Sequence, residues 1–287
     1  MFVKPCISFP KSGRGPRKFF TLFVLVTVGL FACSSSSTDS SLASPTEDTA
    51  ACEGQGSLVP GTSWQWQLSG DIDTSVDAQM YDIDLFDAPQ AIIDELHAKG
   101  RVVICYFSAG SWEDWRSDAG QFSAEVLGKT LDDWPDEKWL DIRQLDILGP
   151  LMQARLDLAV QKRCDGVEPD NVDAYANNTG FPLTYQDQLT YNMWLADEAH
   201  ARGLSIGLKN DLDQVQDLVT HFDWALNEQC FQYNECEALL PFVQSCKAVF
   251  GVEYEGNPEE YCPKANALNF DWLYKNWDLD AWRQRCR

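Results

Sequence analysis

The sequence has 287 residues, of which 44 are Asp or Glu and only 22 are Lys or Arg, so its formal net charge is −22. Nucleic-acid phosphates would repel a chain this acidic, which argues against a nucleic-acid partner and leaves a cationic ligand compatible with the charge. Aromatic residues make up 12% of the chain, a content that suits a packed core or an aromatic-lined groove.

The N-terminal residues 1–33 are predicted to be a signal peptide of the lipoprotein type. Basic residues without any acid precede an apolar run at 19–32, which is short for a membrane span but has the length of a signal-peptide core. The run ends in LFAC, which resembles a bacterial lipobox, although Phe31 departs from the usual pattern. We therefore expect a lipid anchor at Cys33. An ordinary cleaved signal peptide is the alternative, and either interpretation makes the chain an exported protein.

Two segments follow this signal. Residues 34–51 are rich in Ser and Thr and are expected to be a flexible tether, because they cannot bury a core. Residues 52–287 are long enough for one α/β barrel, expected to be monomeric. An even number of cysteines without CxxC units predicts disulfides rather than zinc, with local pairs favoured near the C-terminus. These cysteines are Cys52, Cys105, Cys164, Cys230, Cys236, Cys246, Cys262 and Cys286.

Short apolar segments alternate with helical patterns along the domain. Three helices have clear starts: Asp87 is expected to cap the first, Pro150 to open the second, and Thr184 with Asp187 to form a capping box on the third. Eight such βα-type units favour a (β/α)8 TIM barrel, and an open doubly wound sheet is disfavoured because no Gly-rich phosphate fingerprint follows the first strand. The predicted strands are 63–68, 80–86, 102–107, 138–142, 166–168, 204–208, 224–226 and 248–252.

Polar and acidic residues come directly after at least five of these strands. The carboxyl ends of barrel strands form one rim, so these side chains are expected to converge there. Paired carboxylates on such a rim are what glycosidic bond cleavage requires. Because all three histidines fall in helical stretches, a histidine-containing metal site is not expected, although a calcium site built from oxygens stays open. No cofactor is predicted. The rim set includes Asp84, Trp112, Glu168, Asp170, Lys209, Asn210, Glu228 and Tyr254.

The strand-end segments together resemble glycoside hydrolase family 114, the endo-α-1,4-polygalactosaminidase family. They are WQWQLSG, YDIDLFD, VICYFSAGSWE, WLDIR, GVEPDNVDAY, GLKND, ALNEQC and VFGVEYE, and they extend from Trp64 to Glu255. The resemblance implies a TIM barrel that hydrolyses galactosamine-containing polysaccharide in an endo fashion. It also implies an acidic pair, with Asp170 as the nucleophile and Glu228 as the acid/base, although the two roles could be exchanged.

The remaining rim residues are assigned supporting roles. Glu168 is the rival to Asp170, because residues two apart on a strand direct their side chains to the same face. If it is not the reacting acid, Glu168 is expected to tune its neighbour. Asp84, Lys209 and Asn210 are expected to hold sugar hydroxyls or amines. Lys209 could also neutralise the acid cluster and keep one carboxylate ionised by lowering its pKa. Tyr106, Trp112 and Tyr254 are candidates for stacking on sugar rings, with core packing as the alternative. A non-catalytic carbohydrate-binding lipoprotein on the same barrel and a purely structural lipoprotein are the competing functions.

Overall fold

The structure, a computed structural model, describes residues 58–287. The predicted signal peptide, the lipidation site Cys33, the tether at 34–51 and Cys52 lie outside the described residues. No helix of the described part is long and apolar enough to cross a membrane.

The twelve strands of residues 58–287 are divided between a barrel and a small antiparallel sheet. The barrel sheet has the order β1-β2-β3-β7-β8-β9-β10-β11-β12, and all of its pairings are parallel except β11 with β12. The second sheet has the order β4-β6-β5. The strands are β1 Trp64–Gln67, β2 Met80–Asp84, β3 Val102–Ser108, β4 Ser111–Glu113, β5 Leu127–Leu131, β6 Trp134–Leu140, β7 Gly166–Asp170, β8 Ser205–Lys209, β9 Trp224–Glu228, β10 Val249–Glu253, β11 Asp271–Lys275 and β12 Arg283–Arg285.

Seven α-helices accompany these strands in the described residues. Helices connect most successive barrel strands, but residues 68–79 between β1 and β2 contain none. Within the described chain the barrel has eight parallel strands, which are β1, β2, β3 and β7 to β11. The predicted TIM-barrel class is confirmed. The helices are α1 Gln90–Ala98, α2 Leu145–Lys162, α3 Tyr185–Ala201, α4 Val215–Leu218, α5 Cys230–Tyr233, α6 Leu240–Gln244 and α7 Pro258–Ala267.

One predicted barrel strand was wrong and another was not predicted. The segment predicted at 138–142 belongs to β6, which pairs only with β4 and β5 in the antiparallel sheet. The eighth barrel strand is β11. A hydrophobicity pattern does not predict this strand, because its first and last residues, Asp271 and Lys275, are charged. Both are nevertheless buried: Asp271 binds Arg287, and Lys275 donates to backbone carbonyl groups.

The last segment of the chain joins β11 to β1 without a complete ladder. The Leu68 N–H donates to the Leu279 carbonyl oxygen at 3.0 Å, and the Gln65 amide donates to the Ala281 carbonyl oxygen at 2.8 Å. The Arg283 guanidinium donates to the carbonyl oxygen of Trp64. Side chains and a loop thus substitute for the strand pairing that would close the barrel.

The predicted helix starts were right in one case of three. The Thr184 hydroxyl accepts from the Asp187 N–H and the Asp187 carboxylate accepts from the Thr184 N–H, which confirms the capping box of α3. Asp87 does not cap α1, because the residue at the N-cap is Pro89 and makes no side-chain cap. Helix α2 begins at Leu145, so Pro150 lies inside it.

Two histidines make the same structural contact near the N-terminal ends of the barrel strands. His97 bonds to Asp165 and His200 to Asp223, each at 2.9 Å between Nε2 and Oδ2. Each of these carboxylates also accepts from the N–H of the second residue of a barrel strand, Val103 of β3 in one case and Ile206 of β8 in the other. These two histidines therefore pin helix ends to strands.

Disulfides are present, as the cysteine count predicts. Cys230–Cys236 and Cys262–Cys286 are short-range links near the C-terminus. Cys105–Cys164 joins β3 to the loop just before β7. Cys246 is also disulfide-bonded.

The barrel interior is filled by large aromatic residues, and one glycine makes the space for them. Trp64, Trp66, Trp224 and Phe250 are almost completely buried in one cluster. A Cβ atom on Gly207 would lie 2.3 Å from the ring of Trp224. Gly207 is therefore required by a close approach within the barrel rather than by its backbone angles.

We expect Gly207→Ala to lower the free energy of unfolding by about 1–3 kcal/mol, because the added methyl group forces the buried Trp224 ring to move. Urea unfolding followed by tryptophan fluorescence measures the change. Gly120→Ala is the matched control, since nothing lies within 4 Å of its added Cβ, and it should shift stability by less than about 0.5 kcal/mol. Equal midpoints for both variants would contradict this packing argument.

Candidate active site

The site is built around the ammonium group of Lys209, at the C-terminal end of β8. Its Nζ atom lies 3.1 Å from Glu168 Oε1, 3.1 Å from Asp170 Oδ1 and 3.3 Å from Glu228 Oε2. The two strands that flank β8 supply these carboxylates: β7 carries Glu168 and Asp170, and β9 carries Glu228. Because side chains alternate along a strand, Glu168 and Asp170 point to the same side, as predicted.

Burial and charge act in opposite directions on Lys209. Its side chain is only 2% exposed, and burial by itself lowers the pKa of an ammonium group. The attraction of Asp170, Glu168 and Glu228 outweighs this effect and raises the pKa of Lys209 well above its usual value. Lys209 is therefore a fixed cation that offsets the repulsion among three acids.

Asp170 is held in one orientation by three donors but is still reachable. Its Oδ1 atom accepts from Lys209 and, at 2.8 Å, from the N–H of Asn171, and its Oδ2 atom accepts from the Tyr106 hydroxyl at 3.1 Å. The side chain is 20% exposed. An anion fixed in this way keeps one carboxylate edge directed into the rim.

Glu228 lies on the other side of Lys209 and is the more exposed carboxylate of the two, at 27%. The Tyr254 hydroxyl donates to its Oε1 atom, and the Asn210 amide approaches Oε2 at 3.4 Å. The Asn210 side-chain oxygen in turn accepts from the N–H of Glu228 at 2.9 Å. Burial, followed by the charge of Glu228, raises the pKa of Tyr254 well above its usual value, so this hydroxyl remains a donor.

Glu168 lies beneath the pair and is completely buried. Trp66 Nε1 donates to its Oε2 atom at 3.0 Å. Burial is the main cause that raises the pKa of Glu168 to about 7; the charge of Asp170 adds to it and Lys209 opposes it. Glu168 cannot reach a substrate from this position, so its contacts support the predicted role of tuning its neighbours.

Sequence reasoning missed Asp82, which lies against Glu168. Both of its carboxyl oxygens are buried without a donor among the described groups, and burial together with the Glu168 charge raises its pKa well above the usual value. A protonated Asp82 can share its proton with Glu168. The signal was present in the sequence, because Asp82 and Asp84 alternate along β2 and share one face.

Other predicted site residues take different positions. Asp84 binds the Arg116 guanidinium through both carboxylate oxygens, at 3.0 and 2.7 Å, and is not joined to Lys209. Trp112 belongs to β4 in the antiparallel sheet, where its Nε1 donates to the Ala119 carbonyl. Tyr106 and Tyr254 contact the acids through their hydroxyl groups, so stacking on sugar stays a prediction for them.

Comparison with known proteins matches this chain to one family. A model of glycoside-hydrolase family GH114 matches residues 46–287. The chain belongs to glycoside-hydrolase family GH114. Its resemblance to that family is therefore confirmed, and the chain is a glycoside hydrolase.

Two solved structures are similar to this GH114 chain. Ega3 of Aspergillus fumigatus, solved in complex with galactosamine, is 43% identical, covers 81% of this chain and all of its own, and superposes with a TM-score of 0.75. The glycoside hydrolase domain of PelA from Pseudomonas aeruginosa is 11% identical, with a TM-score of 0.62 over 77% of this chain and 97% of its own, and supports the fold alone. Comparison with curated protein sequences gave no match.

The GH114 rim gives no sign of a metal centre. Within residues 58–287, no group of three or more His, Cys, Asp and Glu side chains is placed to hold a metal ion. The cation at the centre of the described site is the Lys209 ammonium group, which contacts Glu168, Asp170 and Glu228. The chemistry that this arrangement can perform is acid/base and nucleophilic chemistry by carboxylates.

The raised pKa of Glu168 predicts a measurable pH dependence of stability. The folded state holds the Glu168 proton up to about pH 7, whereas an unfolded glutamate releases it near 4.5. Because the folded state then binds more protons in this window, its free energy of unfolding falls as the pH rises. Glu168→Gln removes this component and also removes the Glu168 charge that contributes to the raised pKa of Asp82, so its stability should fall less between about pH 4.5 and 7.

Urea unfolding at several pH values compares the two proteins. Glu253, whose pKa burial also raises to about 7, contributes equally to both. Glu259→Gln is the control, because this carboxylate is exposed on α7. Parallel curves for the parent and Glu168→Gln would show that Glu168 is already ionised in the folded protein across the range.

Proposed function

We propose that this GH114 domain is an exported endo-acting hydrolase of α-1,4-linked, galactosamine-rich polysaccharide. We assign Asp170 as its nucleophile and Glu228 as its acid/base. The observation that carries the assignment is the single Lys209 ammonium group that both carboxylates contact. Asp170, which has three donors, suits the residue that must stay ionised. Glu228, the more exposed of the two, suits the residue that must exchange protons with a leaving group and water.

The shared cation also bounds the distance between the two acids. Because both oxygens contact the same Nζ atom, Asp170 Oδ1 and Glu228 Oε2 are no more than about 6.4 Å apart, the sum of the two contact distances. Inverting enzymes separate their carboxyl groups by roughly 6.5–9.5 Å to admit a water molecule, and retaining enzymes by roughly 5–5.5 Å. The bound applies to one oxygen of each acid, and it is compatible with the retaining mechanism that we propose.

In the first step an Asp170 carboxylate oxygen attacks the anomeric carbon and the glycosidic carbon–oxygen bond breaks. Protonated Glu228 delivers its proton to the leaving oxygen as that bond breaks. In the second step Glu228, now a carboxylate, takes a proton from water, whose oxygen attacks the same carbon and displaces Asp170. The two steps consume one water molecule, and both carboxyl groups return to their starting forms.

Lys209 couples these two steps. In the free site its ammonium group contacts both carboxyl groups. When Asp170 becomes an ester it carries no negative charge, so the Lys209 charge then acts mainly on Glu228 and the neighbouring Glu168.

Several observations support the substrate class. Ega3, which is 43% identical, was solved with galactosamine. A polymer with free amino groups is a polycation near neutral pH. Residues 1–33 carry five basic residues and no acids, so their removal would leave this chain with a net charge of about −27. Long-range electrostatic attraction would then favour binding of a cationic polymer. That attraction should weaken as salt is added.

The cellular location and assembly state are part of the same proposal. We propose that the protein is exported, anchored to a membrane through acylated Cys33 and active as a monomer. The disulfides of the barrel support an oxidising compartment, because such bonds persist outside the reducing cytosol.

Asp170→Asn and Glu228→Gln should each lower hydrolysis of partially deacetylated α-1,4-polygalactosamine by about 10²–10⁴-fold while the domain stays folded. Oligosaccharide release by purified residues 52–287 measures the activity, and products longer than monomers identify endo cleavage. Glu255→Gln, which changes an exposed carboxylate just after β10, should keep parental activity. If the parent binds the polymer but releases nothing, the protein is instead a carbohydrate-binding protein.

We also expect the product to form first as the α anomer, because two displacements at one carbon restore its configuration. Proton NMR of the reducing ends during the first minutes of reaction distinguishes the outcomes, before mutarotation mixes the anomers. Initial appearance of the β anomer would mean inversion, and the Asp170–Glu228 pair would then have to separate when substrate binds.

A further inference from the structure

The segment 276–282, which follows β11, carries a tryptophan at the edge of the acid site. The Trp277 ring stacks on the Tyr254 ring with 4.1 Å between centroids and 16° between planes. The Tyr254 hydroxyl donates to Glu228. Although this stacking covers part of the indole, Trp277 is still 49% exposed, whereas Tyr254 is only 6% exposed. A large aromatic surface therefore lies one side chain away from the proposed acid/base.

The backbone of this segment is fixed from several directions. Lys275 Nζ, which is buried, donates to the carbonyl oxygens of Asp280 at 2.6 Å and Trp282 at 2.8 Å. The Leu279 carbonyl accepts from the backbone N–H groups of Leu68 and Ser69 next to β1. A surface held this rigidly needs little ordering when a ligand binds, which favours affinity.

We propose that Trp277 is a binding platform for one galactosamine residue of the polymer, in a subsite beside Glu228. This inference rests on the proposed function, since it assigns part of the substrate to a surface next to the reacting pair. In an α-1,4-linked galactosamine residue the axial oxygen at C4 leaves the C–H groups of C3, C4 and C5 together on the opposite side of the ring, and such a C–H patch stacks on an aromatic ring. The protonated amine adds a cation that an indole attracts.

The charges of the segment fit the same ligand. Asp278 and Asp280 lie on the segment itself, so the segment carries negative charge that attracts a cationic sugar. An anionic glycan would be repelled by these acids and by the rest of the chain. Trp277 is thus placed to favour deacetylated stretches of the polymer over acetylated ones.

Binding by an inactive background variant tests the platform directly. Trp277→Ala in the Asp170→Asn protein should weaken binding of a galactosamine oligosaccharide about tenfold in calorimetry, and Trp277→Phe should weaken it less because a ring is kept. Trp282→Ala is the matched control. It is also an exposed tryptophan of this segment, 44% exposed, but it packs edge-on against Tyr274 instead of Tyr254. It should bind within about twofold of the background protein.

Kinetics of the otherwise unmodified enzyme separate the possible outcomes. The platform is supported if Trp277→Ala raises KM and if this increase is larger for deacetylated than for acetylated oligosaccharide. Unchanged oligosaccharide binding overturns it, and so does a lower kcat at unchanged binding, which would mean that Trp277 only braces Tyr254. If the parent neither cleaves nor binds galactosamine oligosaccharides, the proposed function fails and this inference fails with it. Cleavage by the parent with normal binding by Trp277→Ala rejects this inference alone.

Discussion

The acid-rich end of this barrel depends on one buried ammonium group. Without Lys209, three carboxylates on the two strands that flank β8 would face one another without a cation between them, and Coulomb repulsion would be large. A buried charge without partners costs several kcal/mol, so the lysine needs the acids as much as the acids need the lysine. Its 2% exposure and three contacts near 3 Å show that this mutual requirement is met within the fold.

The three acids around Lys209 become different because their surroundings differ. Glu168 lies deepest, against Asp82 and the Trp66 indole, and burial raises its pKa. Asp170 and Glu228 lie at the rim and are partly exposed. A single cation thereby supports a buried acid that adjusts the local charge and two accessible acids that can meet a substrate.

A second buried cation organises the neighbouring part of the rim. Arg116 binds Asp84 through two contacts and lies 2.8 Å from Glu113. This links the end of β2 to the β4 insertion and explains why Asp84 is not joined to the Lys209 cluster, although its sequence position resembles that of the other rim acids. The rim is thus divided into a structural cluster around Arg116 and the candidate catalytic cluster around Lys209.

The sequence by itself determined the barrel class and most of the candidate site, because these features depend on short-range patterns. Apolar strands followed by polar residues predict a rim, and alternation places Glu168 and Asp170 on one face. The same reasoning could have found Asp82. It wrongly placed 138–142 in the barrel and missed β11, whose charged ends are buried through contacts that no local pattern shows.

Only the tertiary structure decided which acids share Lys209, that Asp84 turns to Arg116, and that Trp277 stacks on Tyr254. Each of these contacts joins residues from separate strands or loops. Their distances follow from how neighbouring strands pair in the barrel sheet and from where the loops after these strands lie. A linear sequence carries the chemistry of each side chain, but it does not carry the distances that make three acids and one lysine a site.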